Sequence, residues 1–487
     1  MSPTPPRTFI REHTHDAIVV VPGIMGSALC DAERGPIWGF GSPGPYLKLW
    51  FSPGQMAALG LSPAELAAVA EGRYDFASAR VRPTGLIRFP SCAPFLGGFE
   101  PYTALAKALR AVAADPAAVL EFAYDWRLPV RLNARLLARS MREHLAAWRT
   151  HPACVAAREA HPERRQAQIL IVAHSMGGLV ARGLADPAID DGFADVRKVI
   201  TLGTPFYGSV KAAVILNTGD GTPIPMPKRQ LRDAARTMPG VYDLLPRNRC
   251  LLDGADVVAP TAAHVEALGA DRGLAEASLA DFHALEATRL PHHQALLGVA
   301  QPTLQSFGIS GGRVEVADYS YRFDGDTLLR DAQNRPLPFS DTGDGTVWRY
   351  AARPIGQDVP TTPFAQQHGA LANANEMIRT VVGIVTDQED LGIALGEGEI
   401  GLEVPDLVQP GEEFTITVTG EEDPAAVTCV VEDIGEAEVV RRPGLRWSNG
   451  TLAETVTLAA PGLYRIGVKA GAADPVTQVV LVAAPEP

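Results

Sequence analysis

The chain has 487 residues, 46% hydrophobic and 20% charged, so it is not dominated by intrinsic disorder. Its 56 acidic residues outnumber 43 basic ones, and the formal charge of −13 argues against nucleic acid as a partner. No apolar run approaches the roughly 18–20 residues that span a bilayer, and the length exceeds one ordinary domain of about 100–200 residues.

The first residues are polar and proline-rich. The first apolar stretch, Ala17 to Val21, is too short for a signal-peptide core, so a cytoplasmic protein is expected. Cys30, Cys92, Cys154, Cys250 and Cys429 show no C-x-x-C spacing. A metal or redox motif is therefore not expected, nor is a disulfide scaffold, although Cys30 and Cys92 could meet.

Ala17 to Val21 reads as the first strand. Continuous apolar runs suit strands buried on both faces, as in parallel sheets. The same pattern recurs at Val119 to Ala123, Gln168 to Ala173, Lys198 to Leu202 and Thr303 to Ile309. Helical patterns occur at Tyr102 to Ala113, Leu132 to Trp148 and Leu371 to Val385. This alternation predicts an α/β fold with a mainly parallel sheet. Two stretches interrupt it: residues 36–99, rich in Gly, Pro and aromatics, and residues 206–300, helical fragments divided by Pro and Gly. Insertions of that size are often lids or caps.

Near residue 390 the pattern changes to short β-prone runs: Phe414 to Val418, Val427 to Val431, Glu438 to Val440, Glu454 to Leu458, Tyr464 to Val468 and Val476 to Val482. The spacing predicts an all-β, Ig-like sandwich over 391–487, following a body over 1–390. The sandwich segment holds 16 acidic and 5 basic residues, so it carries most of the negative charge. An anionic surface disfavours anionic lipid, so this segment is expected to solubilise the chain or meet a protein partner.

The most informative segment is Gln168 to Arg182, where an apolar strand runs into Ala173-His174-Ser175-Met176-Gly177-Gly178 and a helix pattern follows. A strand–turn–helix with small residues two before and two after a serine is a nucleophile elbow. Alanine stands at the first of those positions. A serine hydroxyl needs a base, and in α/β-hydrolases Asp or Glu and then His follow the serine in the chain. Of 11 histidines only His368 lies beyond residue 293. His283, His292 and His293 fall in the second insertion, and His174 adjoins the serine but points away from it. Asp344 lies in a glycine-flanked turn between Ser175 and His368, with Asp341 its close competitor. One oxyanion donor is expected from the N–H of Met176. The other is expected from the loop after the first strand, from Ile24 or alternatively Met25.

Six ordered blocks carry a resemblance. They are VPGIMGS at Val21 to Ser27, AYDWRLP at Ala123 to Pro129, AHSMGG at Ala173 to Gly178, LGTPFYGS at Leu202 to Ser209, MPGVYDLLP at Met238 to Pro246, and GDGTV at Gly343 to Val347 with His368 downstream. Together they resemble the lecithin:cholesterol acyltransferase-like family of α/β-hydrolases over residues 17 to about 385. The resemblance implies an α/β-hydrolase fold and a serine hydrolase or acyltransferase acting on lipid esters. It implies Ser175, Asp344 and His368 as the triad, and Ile24 and Met176 as the oxyanion positions. Residues 36–99 look like the family's lid region. Met25, Trp126 and Phe206 are candidate walls of the acyl site. Trp126 reads equally well as a packed strand end beside a bracing Asp125–Arg127 pair. No metal or cofactor is expected; transient contact with a membrane surface is. Competing readings are a small-ester carboxylesterase or peptidase of the same fold, and a non-catalytic scaffold that binds through the acidic sandwich.

Overall fold

The computed structural model describes residues 13–39, 54, 57–88, 102–161, 165–220, 228–354, 357–388, 400–436, 438–448, 450–471 and 474–483. At its centre is a six-stranded sheet. Across the sheet the strands run Thr361–Ala365, Gln294–Val299, Val196–Leu202, Ile169–His174, Ala17–Val21 and Val119–Glu121. Every pairing is parallel, with Ala17 opposite Ile169 and Val21 opposite Ala173. All residues of Ala17–Val21 and Ile169–His174 are buried, as expected of strands covered on both faces. Helix Val130–Thr150 packs on Met176–Arg182, and Thr103–Val112 packs on Asn375–Val385.

The strand order reverses at Ala17–Val21. Its sequence successor in the sheet, Val119–Glu121, lies on one side and the next, Ile169–His174, on the other. At such a switch point the loops leaving the carboxyl ends diverge and open a crevice, where open α/β sheets bind ligands. The loop after Val21 and the turn at Ser175 both leave from this point.

The reading of Thr303 to Ile309 as a core strand is corrected. Ser306–Ser310 belongs to a separate four-stranded sheet with Leu251–Asp253, Asp256–Val258 and Arg313–Ala317. The core strand is instead Gln294–Val299, inside the stretch expected to be insertion. That insertion therefore ends before residue 294. Its described part holds helices Val210–Asn217, Lys228–Ala235, Ala262–Ala267 and Arg272–Leu285. Ser27–Asp31, before the first insertion, pairs with Gly35–Trp38 and Val81–Leu86 in a small antiparallel sheet, and helix Pro63–Ala70 lies between the last two strands in the chain. Much of the expected lid, residues 40–53, 55–56 and 89–99, lies outside the described residues, as does Cys92.

The C-terminal segment is strand-rich, in two sheets. One has the order Gly401–Glu403, Glu413–Thr419, Thr451–Thr457, Arg446–Ser448; the other Leu407–Val408, Val476–Val482, Gly462–Ala470, Val427–Asp433, Glu438–Arg441. Ile416, Val418 and Leu452 of the first sheet share one buried cluster with Val431, Ile466 and Val480 of the second. Side chains alternate along a strand. Accordingly Val480 and Val482 face that cluster, whereas Val479, Leu481 and Leu463 join the cluster of the α/β body. The strands Gly462–Ala470 and Val476–Val482 are therefore covered on both faces, whereas the edge strand Glu438–Arg441 is exposed.

Candidate active site

The site is built at the carboxyl edge of the central sheet. Ile169–His174 ends in Ser175, which takes φ 52° and ψ −127° before helix Met176–Arg182 begins. That is a sparsely populated conformation for a non-glycine residue, and such strain clusters at functional sites. The turn needs Gly177, where a Cβ would lie 2.4 Å from the Val21 carbonyl oxygen. It also needs Gly23, where a Cβ would lie 2.8 Å from the Ser175 Cβ.

The structure brings the sequence-predicted residues together. His368 Nε2 lies 2.8 Å from Ser175 Oγ, and His368 Nδ1 lies 2.7 Å from Asp344 Oδ2. All three are buried, with Ser175 4% and Asp344 1% exposed. Asp344 is fixed in turn: its Oδ1 accepts the N–H groups of Thr346 (3.0 Å) and Val347 (2.6 Å), and its carbonyl accepts the His368 N–H at 2.7 Å. Asp341, the competitor, points elsewhere, accepting the Thr342 N–H and lying 3.5 Å from Arg349. With Asp344 on Nδ1, the imidazole can donate there and accept at Nε2, the tautomer that a base facing a serine hydroxyl requires.

Two glycines make room for this pair, and sequence reasoning did not assign them to the site. A Cβ at Gly298 would sit 2.2 Å from the Asp344 Cβ. At Gly203, with φ +57°, one would sit 2.9 Å from Asp344 Oδ2. Gly203 belongs to the Gly-Thr-Pro block, and only its folded neighbours reveal this role.

A second hydrogen-bonded chain runs behind Ser175. The Gly23 N–H donates to the Tyr102 hydroxyl at 2.8 Å, and Tyr102 lies 2.8 Å from His174 Nδ1. His174 Nε2 lies 3.1 Å from the His368 carbonyl oxygen. That carbonyl can only accept, so Nε2 carries the proton and Nδ1 accepts from Tyr102. Burial first, and then neighbouring His368, pushes the His174 pKa down to about 3, so the ring stays neutral. His174 thus ties the Pro22–Ser27 loop to the His368 backbone. No motif had singled out Tyr102.

Ile24 and Met25 lie on that loop, Ile24 half-buried and Met25 buried with φ 63°. Met176 opens the helix after Ser175. Trp126 is 2% exposed, donates from Nε1 to the Ser27 carbonyl at 3.1 Å, and meets Trp38 edge-on. Asp125 and Arg127 form a buried fork, Arg127 Nε to Oδ1 at 2.9 Å and Nη2 to Oδ2 at 2.6 Å. Tyr124 donates to the Pro22 carbonyl at 2.8 Å. This block braces the loop after the first strand. Phe206 is also buried, against His293 and beneath the Arg182 guanidinium. Among the described residues, no group of three His, Cys, Asp or Glu side chains could hold a metal ion.

The family model of lecithin:cholesterol acyltransferase matches residues 94–279. Over those residues the chain is similar to lecithin:cholesterol acyltransferase. The matched segment carries Ser175 and its elbow, the 123–129 block and the 202–209 and 238–246 blocks. In general terms the match to the lecithin:cholesterol acyltransferase family supports a lipid-ester hydrolase or acyltransferase of the α/β class. No curated protein matches the chain. Among solved structures, the phospholipase PlaB from Legionella pneumophila is 10% identical, covering 96% of this chain and 90% of its own, with a TM-score of 0.24. The sulfur carrier protein SoxY from Chlorobium limicola f thiosulfatophilum is 17% identical over 18% of this chain and 79% of its own, with a TM-score of 0.14. A superoxide reductase from Ignicoccus hospitalis is 14% identical over 20% of this chain and 90% of its own, with a TM-score of 0.15. Among the described residues no helix is long and apolar enough to cross a membrane.

Proposed function

We propose that the protein is a serine acyl-ester hydrolase or acyltransferase of the phospholipase or lipase type, working through an acyl-enzyme. The observation that carries this reading is the unbroken hydrogen-bonded relay from Asp344 through His368 to Ser175, at 2.7 and 2.8 Å. His368 Nε2 takes the proton of Ser175 as Oγ bonds to the ester carbonyl carbon. The tetrahedral intermediate collapses, the ester C–O bond breaks, and His368 returns the proton to the leaving alcohol. Water or an acceptor alcohol then attacks the acyl-enzyme by the same steps in reverse. Asp344 holds His368 in its tautomer and stabilises its cation. The N–H groups of Ile24 and Met176 receive the oxyanion, and losing one such donor typically costs about 10²–10³ in rate.

Residues 1–390 carry the chemistry in this reading, and 391–487 form an Ig-like second domain. Met25, Trp126 and Phe206 wall the acyl site, and residues 36–99 supply the lid. The family match supports a lipid ester over a small polar one, and in this reading the protein meets a lipid surface transiently during turnover. The test is to incubate wild type and Ser175→Ala with a panel of diacyl phospholipids and with short-chain aryl esters. Wild type should release fatty acid from phospholipid, and Ser175→Ala should fall by at least about 10³-fold. Equal turnover by both proteins, or none by either, removes the enzyme reading. Turnover of aryl esters alone removes the lipid reading.

A further inference from the structure

The loops that carry Asp344 and His368 both end against the C-terminal β-segment, and the contacts are made by glutamines. Gln301 follows the core strand Gln294–Val299 and is fully buried. Its backbone exchanges two hydrogen bonds with Gly343, next to Asp344, at 3.0 and 3.1 Å. Its side-chain Nε2 donates to the Ile400 carbonyl at 3.0 Å, and its Oε1 accepts the Leu402 N–H at 3.0 Å. Gln367 stands immediately before His368. Its Nε2 donates to Gln301 Oε1 at 3.1 Å and the Leu402 carbonyl at 3.0 Å, with Gln478 Oε1 further off at 3.4 Å. Gln478 Nε2 is anchored on the Val404 carbonyl at 2.9 Å and Asp406 Oδ1 at 3.2 Å. Gln366 donates to the Pro475 carbonyl at 3.1 Å. The two loops also meet directly: a Cβ at Gly345, φ +83°, would lie 2.3 Å from Gln367 Oε1.

We infer that the C-terminal β-segment is a working part of the active site, and that Gln301, Gln367 and Gln478 are positioning residues for Asp344 and His368. The inference rests on the triad reading above. Neither loop is held within the central sheet at these positions. The β-segment supplies the Ile400 and Leu402 carbonyls, the Leu402 N–H and the Gln478 amide. Without these groups the buried amide of Gln301 would lose the shorter of its two Nε2 bonds, keeping only the Val299 carbonyl at 3.4 Å, and one partner for Oε1, and a buried polar group left poorly paired is costly. Glutamine is the chemically suited residue here. It donates and accepts at once, and being neutral it adds no charge beside the Asp344–His368 pair. A site of this kind must be held within roughly 0.5 Å, and a displacement of about 1 Å can cost 10²-fold in rate.

The alternative is that these glutamines only glue two parts of the chain together, and full-length variants separate the two ideas. Gln367→Met and Gln478→Met keep side-chain length and remove the hydrogen bonds. Asp474→Ala removes another contact of the β-segment, the one that Asp474 Oδ2 makes with the Glu376 N–H at 3.1 Å, which involves none of Gln301, Gln367 and Gln478. Gln367→Met and Gln478→Met should lower kcat by about tenfold or more with KM within about twofold. The acid limb of kcat/KM should move to lower pH, because a loosened Asp344 stabilises the His368 cation less. Asp474→Ala should keep wild-type kcat. Should Gln367→Met fail to fold, Gln478→Met decides alone, since its side chain lies on the β-segment strand. Wild-type kcat and pH profile in folded Gln478→Met overturn the inference. So does an equal loss of kcat in Asp474→Ala. Inactivity of wild type, or full activity of Ser175→Ala, instead overturns the triad reading and is a different result.

Discussion

His174 and His293 are kept neutral by burial, their pKa values pushed from 6.5 down to about 3 and about 4. His174 occupies the tie between the Gly23 loop and His368, and His293 Nε2 lies 2.8 Å from Thr201 Oγ1. Between those values and 6.5 the unfolded chain binds protons that the native chain does not. Their stability contribution is therefore full above pH 6.5 and is lost as pH falls. At about pH 5 each should cost roughly 2 kcal/mol relative to about pH 8. Denaturant unfolding of wild type, His174→Gln and His293→Gln at both pH values checks this: each variant should lose less stability on acidification than wild type. The same scale shows what a sequence can hide. His368 was identifiable because it is the last histidine in the chain, and Asp344 because glycines flank it. Tyr102 and Gly298 lie in no motif, and the block that holds Gly203 does not announce its role. Each is defined by an atom that approaches it from a distant part of the chain.

At the scale of elements, the site depends on how closely the Met176–Arg182 helix approaches the strand Ala17–Val21. Gly177 allows that approach, since a Cβ there would meet the carbonyl oxygens of Val21 and Pro22 at 2.4 and 2.6 Å. Gly177→Ala should force helix and strand apart. Overpacking of this kind costs about 1–3 kcal/mol, so thermal unfolding should show a lowered Tm, and activity should fall even in the folded fraction. A variant with wild-type Tm and turnover would show that the helix has slack at this point. The strands around this pair were legible because continuous β-branched runs have few other uses. Val476–Val482 and Ala17–Val21 fall where the apolar runs lie. Gln294–Val299 and Ser306–Ser310 were not separable in the same way. Both are short runs rich in small and apolar residues, and local composition does not say which sheet a strand will join.

At the scale of the whole molecule, the C-terminal segment reads from its charge as an acidic appendage. The structure joins it to the body through a cluster of glutamines, an apolar face formed by Leu463, Val479 and Leu481, and one carboxylate, Asp474, on the Glu376 N–H. Leu463 and Leu481 are cross-strand partners on that face, and both are buried. Leu481→Ala should therefore weaken the junction, at about 2–5 kcal/mol for a buried leucine. Wild type should unfold calorimetrically as one transition and Leu481→Ala as two. Val480→Ala, on the opposite face and inside the sandwich cluster, should lower Tm without splitting the transition. Two transitions in wild type would show that the junction does not couple the parts.

By itself the sequence determined the α/β alternation, the strand-rich C-terminal segment, the elbow around Ser175 and the short set of residues able to partner it. These follow from local rules: periodicity, the small residues a tight turn demands, and the few side chains able to hold or move a proton. Tertiary structure alone decided which strands share the central sheet, that Gly203 and Gly298 clear space for Asp344, that His174 and Tyr102 tie the Pro22–Ser27 loop to His368, and that glutamines join the acidic segment to the loops of Asp344 and His368. Those facts depend on atoms 35 to 194 residues apart meeting at van der Waals or hydrogen-bond distance, and such distances are set only when the whole chain packs.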